Sequence, residues 1–185
     1  MPEGAWVFCL SKVTNEGNLY TMNHDLAAEL HRRAEQDQAA RRLAAKTRDG
    51  REMCRIDAEN TAWLKQVITE YGWPGAALVG AQGAEEAWLL AQHADLAPAF
   101  QRQALELLKA AVAAGDASPR QLAYLTDRVL VAAGEPQVYG TQYTDDPDGS
   151  NLRLQPVADP DRLDERRAAM GLEPAADYDQ RMRGH

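Results

Sequence analysis

The chain has 185 residues, 45% hydrophobic and 26% charged, and a formal net charge of -8. That length suffices for a buried core without staples, and no apolar run approaches the roughly 18 residues a membrane span needs. The acidic balance argues against a nucleic acid as partner, because such binding depends on concentrated basic surface, and Arg32-Arg33, Arg41-Arg42 and Arg166-Arg167 all sit among acids.

Residues 1–23 mix the apolar Trp6-Val7-Phe8-Cys9-Leu10 with the turn-rich Thr14-Asn15-Glu16-Gly17-Asn18, and read as an N-terminal arm. Met1 to Ala5 carry no positive region of a signal peptide, and Cys9 and Cys54 have no CxxC spacing, so the expected setting is the cytoplasm with reduced thiols. From residue 24 to 185 the expectation is one helical domain, with a tail from about residue 143. A first helix spans about Asp25 to Ala45, since Leu26, Leu30, Ala34, Asp37, Arg41 and Ala44 share a stripe. Lys46 to Arg55 reads as a charged connection broken at Gly50, and Asp57 as the cap of a second helix ending at Tyr71-Gly72. After the turn Gly72-Trp73-Pro74-Gly75, Ala76-Ala77-Leu78-Val79 leads through Gly80 and Gly83 into a third helix, reading from Ala84 to Ala91 and closing on Gln92, His93 and Asp95. Trp88, Leu89, Leu90, Ala91, Ala94 and Leu96 point in nearly every direction, which predicts a helix surrounded by protein.

A fourth helix follows Pro98, with Phe100, Ala104, Leu107, Leu108 and Ala111 inward, and ends at Gly115. Ser118-Pro119-Arg120-Gln121 is a capping box with proline at N1 and starts a fifth, whose inner stripe is Leu122, Leu125 and Val129. Beyond Gly134 and Pro136 the chain turns irregular, and Asp164–Met170 and Pro174–Arg181 have helical composition with little apolar surface. The fold expected is mainly α: an irregular bundle of about five helices with an extended loop and a short helical C-terminal tail.

Gly72-Trp73-Pro74, Ala91-Gln92-His93-Ala94-Asp95, Leu125-Thr126-Asp127-Arg128 and Tyr139-Gly140-Thr141-Gln142 together resemble a bacterial family known only as a domain of unknown function. The likeness covers about residues 25–178 and brings no activity or catalytic residue with it. Four lysines among twenty basic residues, with abundant alanine, suggest a GC-rich bacterial source.

Polar side chains at expected core positions need partners or a ligand, because an unpaired buried polar group costs about 1–3 kcal/mol. His93 suits acid–base work, with Asp95 or Asp127 to orient its ring; a satisfied core or capping histidine is the plain alternative. Asn60, Gln92 and Gln142 suit polar substrate groups, Trp73, Trp88 and Tyr139 apolar walls, and Arg41 or Arg128 an anion. Asp37 and Arg41, four apart, form either an ion pair or an anion clamp. Asp127 and Arg128 project away from the fifth helix's stripe, toward solvent or the Tyr139–Gln142 loop.

No organic cofactor is indicated. A metal at His93 and Asp95 with Asp37 or Asp57 lacks any spacing motif. The Asp146–Asn151 run has no calcium-loop glycine or closing acid, and Gly80-Ala81-Gln82-Gly83 lacks the Walker lysine. Two functions are therefore expected: a hydrolase, lyase or cyclase acting on a small polar or anionic molecule through His93, or a non-catalytic module whose polar residues fix helix register.

Overall fold

The computed structural model describes residues 22–146 and 151–184. The apolar stretch Trp6–Leu10 and Cys9 lie outside them, as does the centre of the Asp146–Asn151 run. The protein is mainly helical. Five longer helices are α1 (His24–Thr47), α2 (Arg51–Tyr71), α3 (Ala76–Gln92), α4 (Pro98–Ala113) and α5 (Pro119–Ala132). Two short ones, α6 (Leu163–Ala169) and α7 (Ala175–Met182), lie in the tail after an antiparallel pair, β1 (Tyr143–Thr144) and β2 (Arg153–Leu154).

Asn23 starts α1, its side chain accepting from the Leu26 amide at 3.0 Å. The stripe expected on this helix is buried at Leu26, Leu30, Ala34 and Asp37, and half-buried at Arg41 and Ala44. α2 begins six residues before the expected cap. Asp49 accepts from the Arg51 amide, and Arg55 pairs with both Glu52 and Glu59, so exposed ion pairs one turn apart support a first turn that has little apolar surface. Asp57 is therefore an interior helical residue facing α1, where it is free to pair.

α3 carries a break at Gly80 (φ 76°, ψ 167°), a conformation that favours glycine. Its N-terminus rests on Asp116, whose carboxylate accepts from the Ala77 amide at 2.6 Å and approaches Gly75 too closely for any side chain there. The helix is not enclosed all round, as its composition had suggested. Ala87, Leu90 and Ala91 are buried, but Trp88 and Leu89 are half-buried along open clefts and Leu96 is 70% exposed. This open side is where a ligand can reach the helix.

α1, α2 and α3 pack together, and α4 pairs with α5 against the other side of α3. Leu30, Leu64, Leu90, Leu108 and Leu125 are essentially inaccessible at the centre. On α4, Leu105 is buried, and Leu107, expected inward, is half-buried. The tail compensates for scarce apolar surface with arginine. Arg167 is fully buried, donating to the Tyr139 and Glu173 carbonyls at 2.7 Å each and lying over the Tyr178 ring, while Arg166 donates to the Val138 carbonyl. These bonds strap α6 and α7 to the loop after α5. No helix among the described residues is long and apolar enough to cross a membrane.

Candidate functional site

The C-terminal end of α3 meets α1, α2, α5 and the 137–142 loop, and polar side chains collect there in two clusters. The first is built on His93. Its Nδ1 lies 2.9 Å from both Asp37 carboxylate oxygens and 2.9 Å from the Arg41 Nε. Arg41 also reaches Asp37 at 3.3 Å and Asp57 at 2.7 Å, so the i, i+4 pair on α1 exists and extends across to α2.

A neutral imidazole carries one ring proton, and the geometry says where. With two carboxylate oxygens at 2.9 Å, an unprotonated Nδ1 would set lone pair against lone pair. The proton therefore belongs on Nδ1, which donates to Asp37, and the Arg41 Nε–H goes to the second Asp37 oxygen. The basic nitrogen is then Nε2, which has no protein partner among the described residues.

Asp37 is only 1% exposed. Burial alone pushes its carboxyl up. The His93 hydrogen bond, the Arg41 charge and the Gln38 amide, which donates at 2.9 Å, together outweigh this and hold it below the ordinary carboxylate value. Asp57 is held above that value, because burial and the neighbouring Asp37 charge prevail over Arg41.

Asp37, Asp57 and His93 also offer ligand atoms within 4.8 Å of one another, a donor set that suits a cation. The Arg41 guanidinium already supplies positive charge to both carboxylates. A metal would have to displace it, so these residues fit a resident arginine better than an ion.

His93 forms part of the wall of a cleft of about 450 Å³, together with Trp88, Gln92, Tyr124, Arg128, Thr141, Gln142 and Tyr143. Arg128 is held by Asp95 at 2.6 and 2.9 Å and by the Gln142 side-chain oxygen at 3.0 Å. Gln92 is buried, yet its Oε1 has no partner among the described residues. Trp88, Tyr124, Tyr178 and Tyr143 form a chain of edge-to-face neighbours 5.7–6.2 Å apart, in which Trp88, Tyr124 and Tyr143 line the cleft and the buried Tyr178 backs them.

The second cluster is built on Asp127. It is fully buried and accepts from the amides of Val138, Tyr139 and Thr141 and from the Thr141 hydroxyl, at 2.7–3.2 Å. Of the two directions open to it, Asp127 takes the one toward the loop. Neither Asp95 nor Asp127 orients His93: Asp95 is committed to Arg128, and Asp127 to the loop backbone. Asp37 is the carboxylate that the packing of α1 on α3 sets against the ring.

Other expected residues separate in the same way. Asn60 accepts from Arg33 at 3.0 Å in the α1–α2 seam and is not on the cleft wall. Trp73 precedes the 17 residues of α3, roughly 25 Å of helix from His93, and belongs to the other end of the core. Tyr139 shapes the loop through its backbone. Trp88 donates its indole N–H to the Gln121 carbonyl and presents its ring to the cleft.

Tyr124 and Tyr143 are among the wall residues that the sequence does not single out. Thr141 and Tyr143 are two apart in extended chain, the spacing that puts side chains on one side. Tyr124 lies one turn before Arg128, which was the available signal for it. The loop, α3 and α5 thus converge: the 91–95 segment meets 125–128 through Asp95 and Arg128, and both meet 139–142.

Residues 24–184 match the family of unknown function DUF6624. The chain belongs to that family. Comparison with curated proteins and with solved structures finds no match. Membership covers every element from α1 to α7 and both clusters, and it attaches no reaction to them.

Proposed function

We propose that this DUF6624 member is a small-molecule enzyme that works by proton transfer, with His93 as the acid–base group and Asp37 as its positioning residue. The observation that carries the reading is the asymmetry of the ring. Nδ1 is fixed against a buried carboxylate, whereas Nε2 has no protein partner among the described residues and the residue borders an open cleft. That arrangement holds one tautomer and leaves a base available to a ligand. Hydrolysis, elimination and cyclisation are the reaction types that need no more than this, and no organic cofactor is required.

The ligand is small and polar. Arg128 is already matched by Asp95, and Arg41 by Asp37 and Asp57, so the cationic side chains near His93 are committed. This supports a neutral polar substrate over an anion. One observation favours the second reading, a purely structural network: the Arg41 Nε lies 2.9 Å from Nδ1, close enough to donate to it if that nitrogen were bare.

The test compares wild type with His93→Gln and Asp37→Asn on a small-molecule cell extract read by mass spectrometry. At least one compound should be consumed by wild type and spared by His93→Gln. Asp37→Asn should slow its turnover by a factor of about 10²–10⁴ with little change in KM. Indistinguishable wild-type and His93→Gln profiles would sink the enzymatic reading.

A further inference from the structure

A second cleft, of about 390 Å³, runs between α1 and α3. These helices lie parallel, since Asn23 meets Leu78, His31 meets Glu86 and Asp37 meets His93 in order along both. Trp88 and Leu89 line this cleft as well as the one at His93, but neither His93, Asp37 nor Arg41 does. It is therefore a separate cavity with a shared wall.

The indole of that wall is held before any ligand arrives. Its N–H donates to the Gln121 carbonyl at 3.0 Å and its ring packs edge-to-face on Tyr124, so an aromatic surface of fixed orientation stands beside Leu89 and the buried Ala34. Carboxylates border one end. The Glu86 side chain is only 12% exposed; its Oε1 lies 2.7 Å from the His31 Nδ1 and accepts from Gln82 at 3.0 Å, which leaves Oε2 without a partner among the described residues.

Glu35 and Glu85 complete that end. Elsewhere on the helices, glutamates are matched one turn away, as Glu29 is by Arg32 and Arg33, Glu52 by Arg55 and Glu106 by Lys109. Among the described residues Glu85 has no such base, and Glu35 has only the His31 ring, at 3.7 Å. The cleft's arginine, Arg42, is seven residues further along α1, roughly 10 Å from Glu35 along the helix axis. His31 feels the resulting potential: its hydrogen bond to Glu86, with the charges of Glu86 and Glu35, raises its pKa above the ordinary histidine value.

We propose that this cleft is a binding site for a primary ammonium carried on a flat apolar body, with the ammonium on Glu86 between Glu35 and Glu85 and the body against Trp88 and Leu89. Carboxylates at an open surface hold a cation weakly, and an indole adds attraction for an organic one. An ammonium brings three N–H donors, which carboxylate oxygens accept and a quaternary nitrogen cannot supply. Three glutamates against one arginine disfavour an anion.

Three probes of similar shape separate these contributions: 2-phenylethylamine, 2-phenylethanol, which has no charge, and N,N,N-trimethyl-2-phenylethylammonium, which keeps the charge and has no N–H. They are titrated into the full chain at about 0.15 M salt and followed by amide chemical shifts. The amine should bind saturably with its largest shifts along 31–38 and 82–89, the alcohol about tenfold more weakly and the trimethyl probe about fivefold more weakly. Glu86→Gln should lose about tenfold of the amine affinity, and Glu35→Gln with Glu85→Gln, both exposed, about fivefold. Glu135→Gln, at an exposed acid beyond the end of α5, should lose none.

An amine that binds no better than the alcohol would overturn the assignment, as would equal binding of the trimethyl probe. So would non-saturable binding, shifts spread over the acidic faces at large, or equal losses in Glu86→Gln and Glu135→Gln, each of which marks diffuse attraction to an acidic protein. These readouts involve neither turnover nor His93, so they stand or fall separately from the His93→Gln comparison.

Discussion

Asp127 and Gln92 are both buried polar residues within short sequence words, and they are opposites. Asp127 is saturated: three backbone amides and one hydroxyl converge on its two oxygens. Gln92 has a buried oxygen that nothing meets. Burial alone therefore does not say how a polar side chain is used, since one of these two is fully hydrogen-bonded and the other is not. A similar contrast separates Asp95, used up by Arg128, from His93, whose ring is fixed on one side by Asp37 and has no partner on the other among the described residues.

The contrast breaks most visibly at Asp127. Asp127→Ala strands three loop amides, and is expected to cost about 3–5 kcal/mol in chemical denaturation. A loss below about 1 kcal/mol would mean that the loop holds its shape without the carboxylate. Arg41→Met comes next, at about 1–3 kcal/mol near neutral pH, because it leaves Asp37 and Asp57 facing each other without a cation. That loss should shrink on acidification, as one of the two acids takes up a proton; a pH-independent loss would point to packing instead.

Acid titration sharpens the distinction between these two acids. The Asp37 carboxyl is held below its unfolded value, so its contribution is complete above about pH 4 and disappears as the pH falls through the depressed folded value. Asp57 is held up, so the folded state takes its proton first and gains stability on acidification. Asp37→Asn should flatten the acid limb of the stability profile, and Asp57→Asn should steepen it; the reverse pair of slopes would refute the assignment. The smallest effect is expected at Asp95→Ala, about 0–1 kcal/mol, since its pair with Arg128 is half exposed.

Much of the helical framework was legible because helices declare themselves by period. The α1 stripe put Asp37 inward beside Leu30 and Ala34, and the capping box at Ser118 marked where α5 starts. The partners of the polar residues were not legible in the same way. Which acid meets His93 depends on how α1 sits along α3, a relation between residues 56 positions apart that no local spacing encodes. Asp57 was read as a cap because its type suits one, although ion pairs carry α2 back to Arg51. Asp127 bonds mainly to backbone amides of an irregular loop, and the sequence does not reveal the path of that backbone. The tail's anchoring by Arg166 and Arg167 was hidden for a similar reason, since both donate to carbonyls.

Which nitrogen of His93 carries the proton separates a base directed at the cleft from a purely structural ring. Ring ¹⁵N chemical shifts of His93, recorded above the ring's own titration, report this without any substrate. The prediction is a protonated Nδ1 and a bare Nε2 in wild type. A protonated Nε2 with Nδ1 bare would mean that the ring accepts from Arg41 and belongs to the structural network, contradicting a base directed at the cleft.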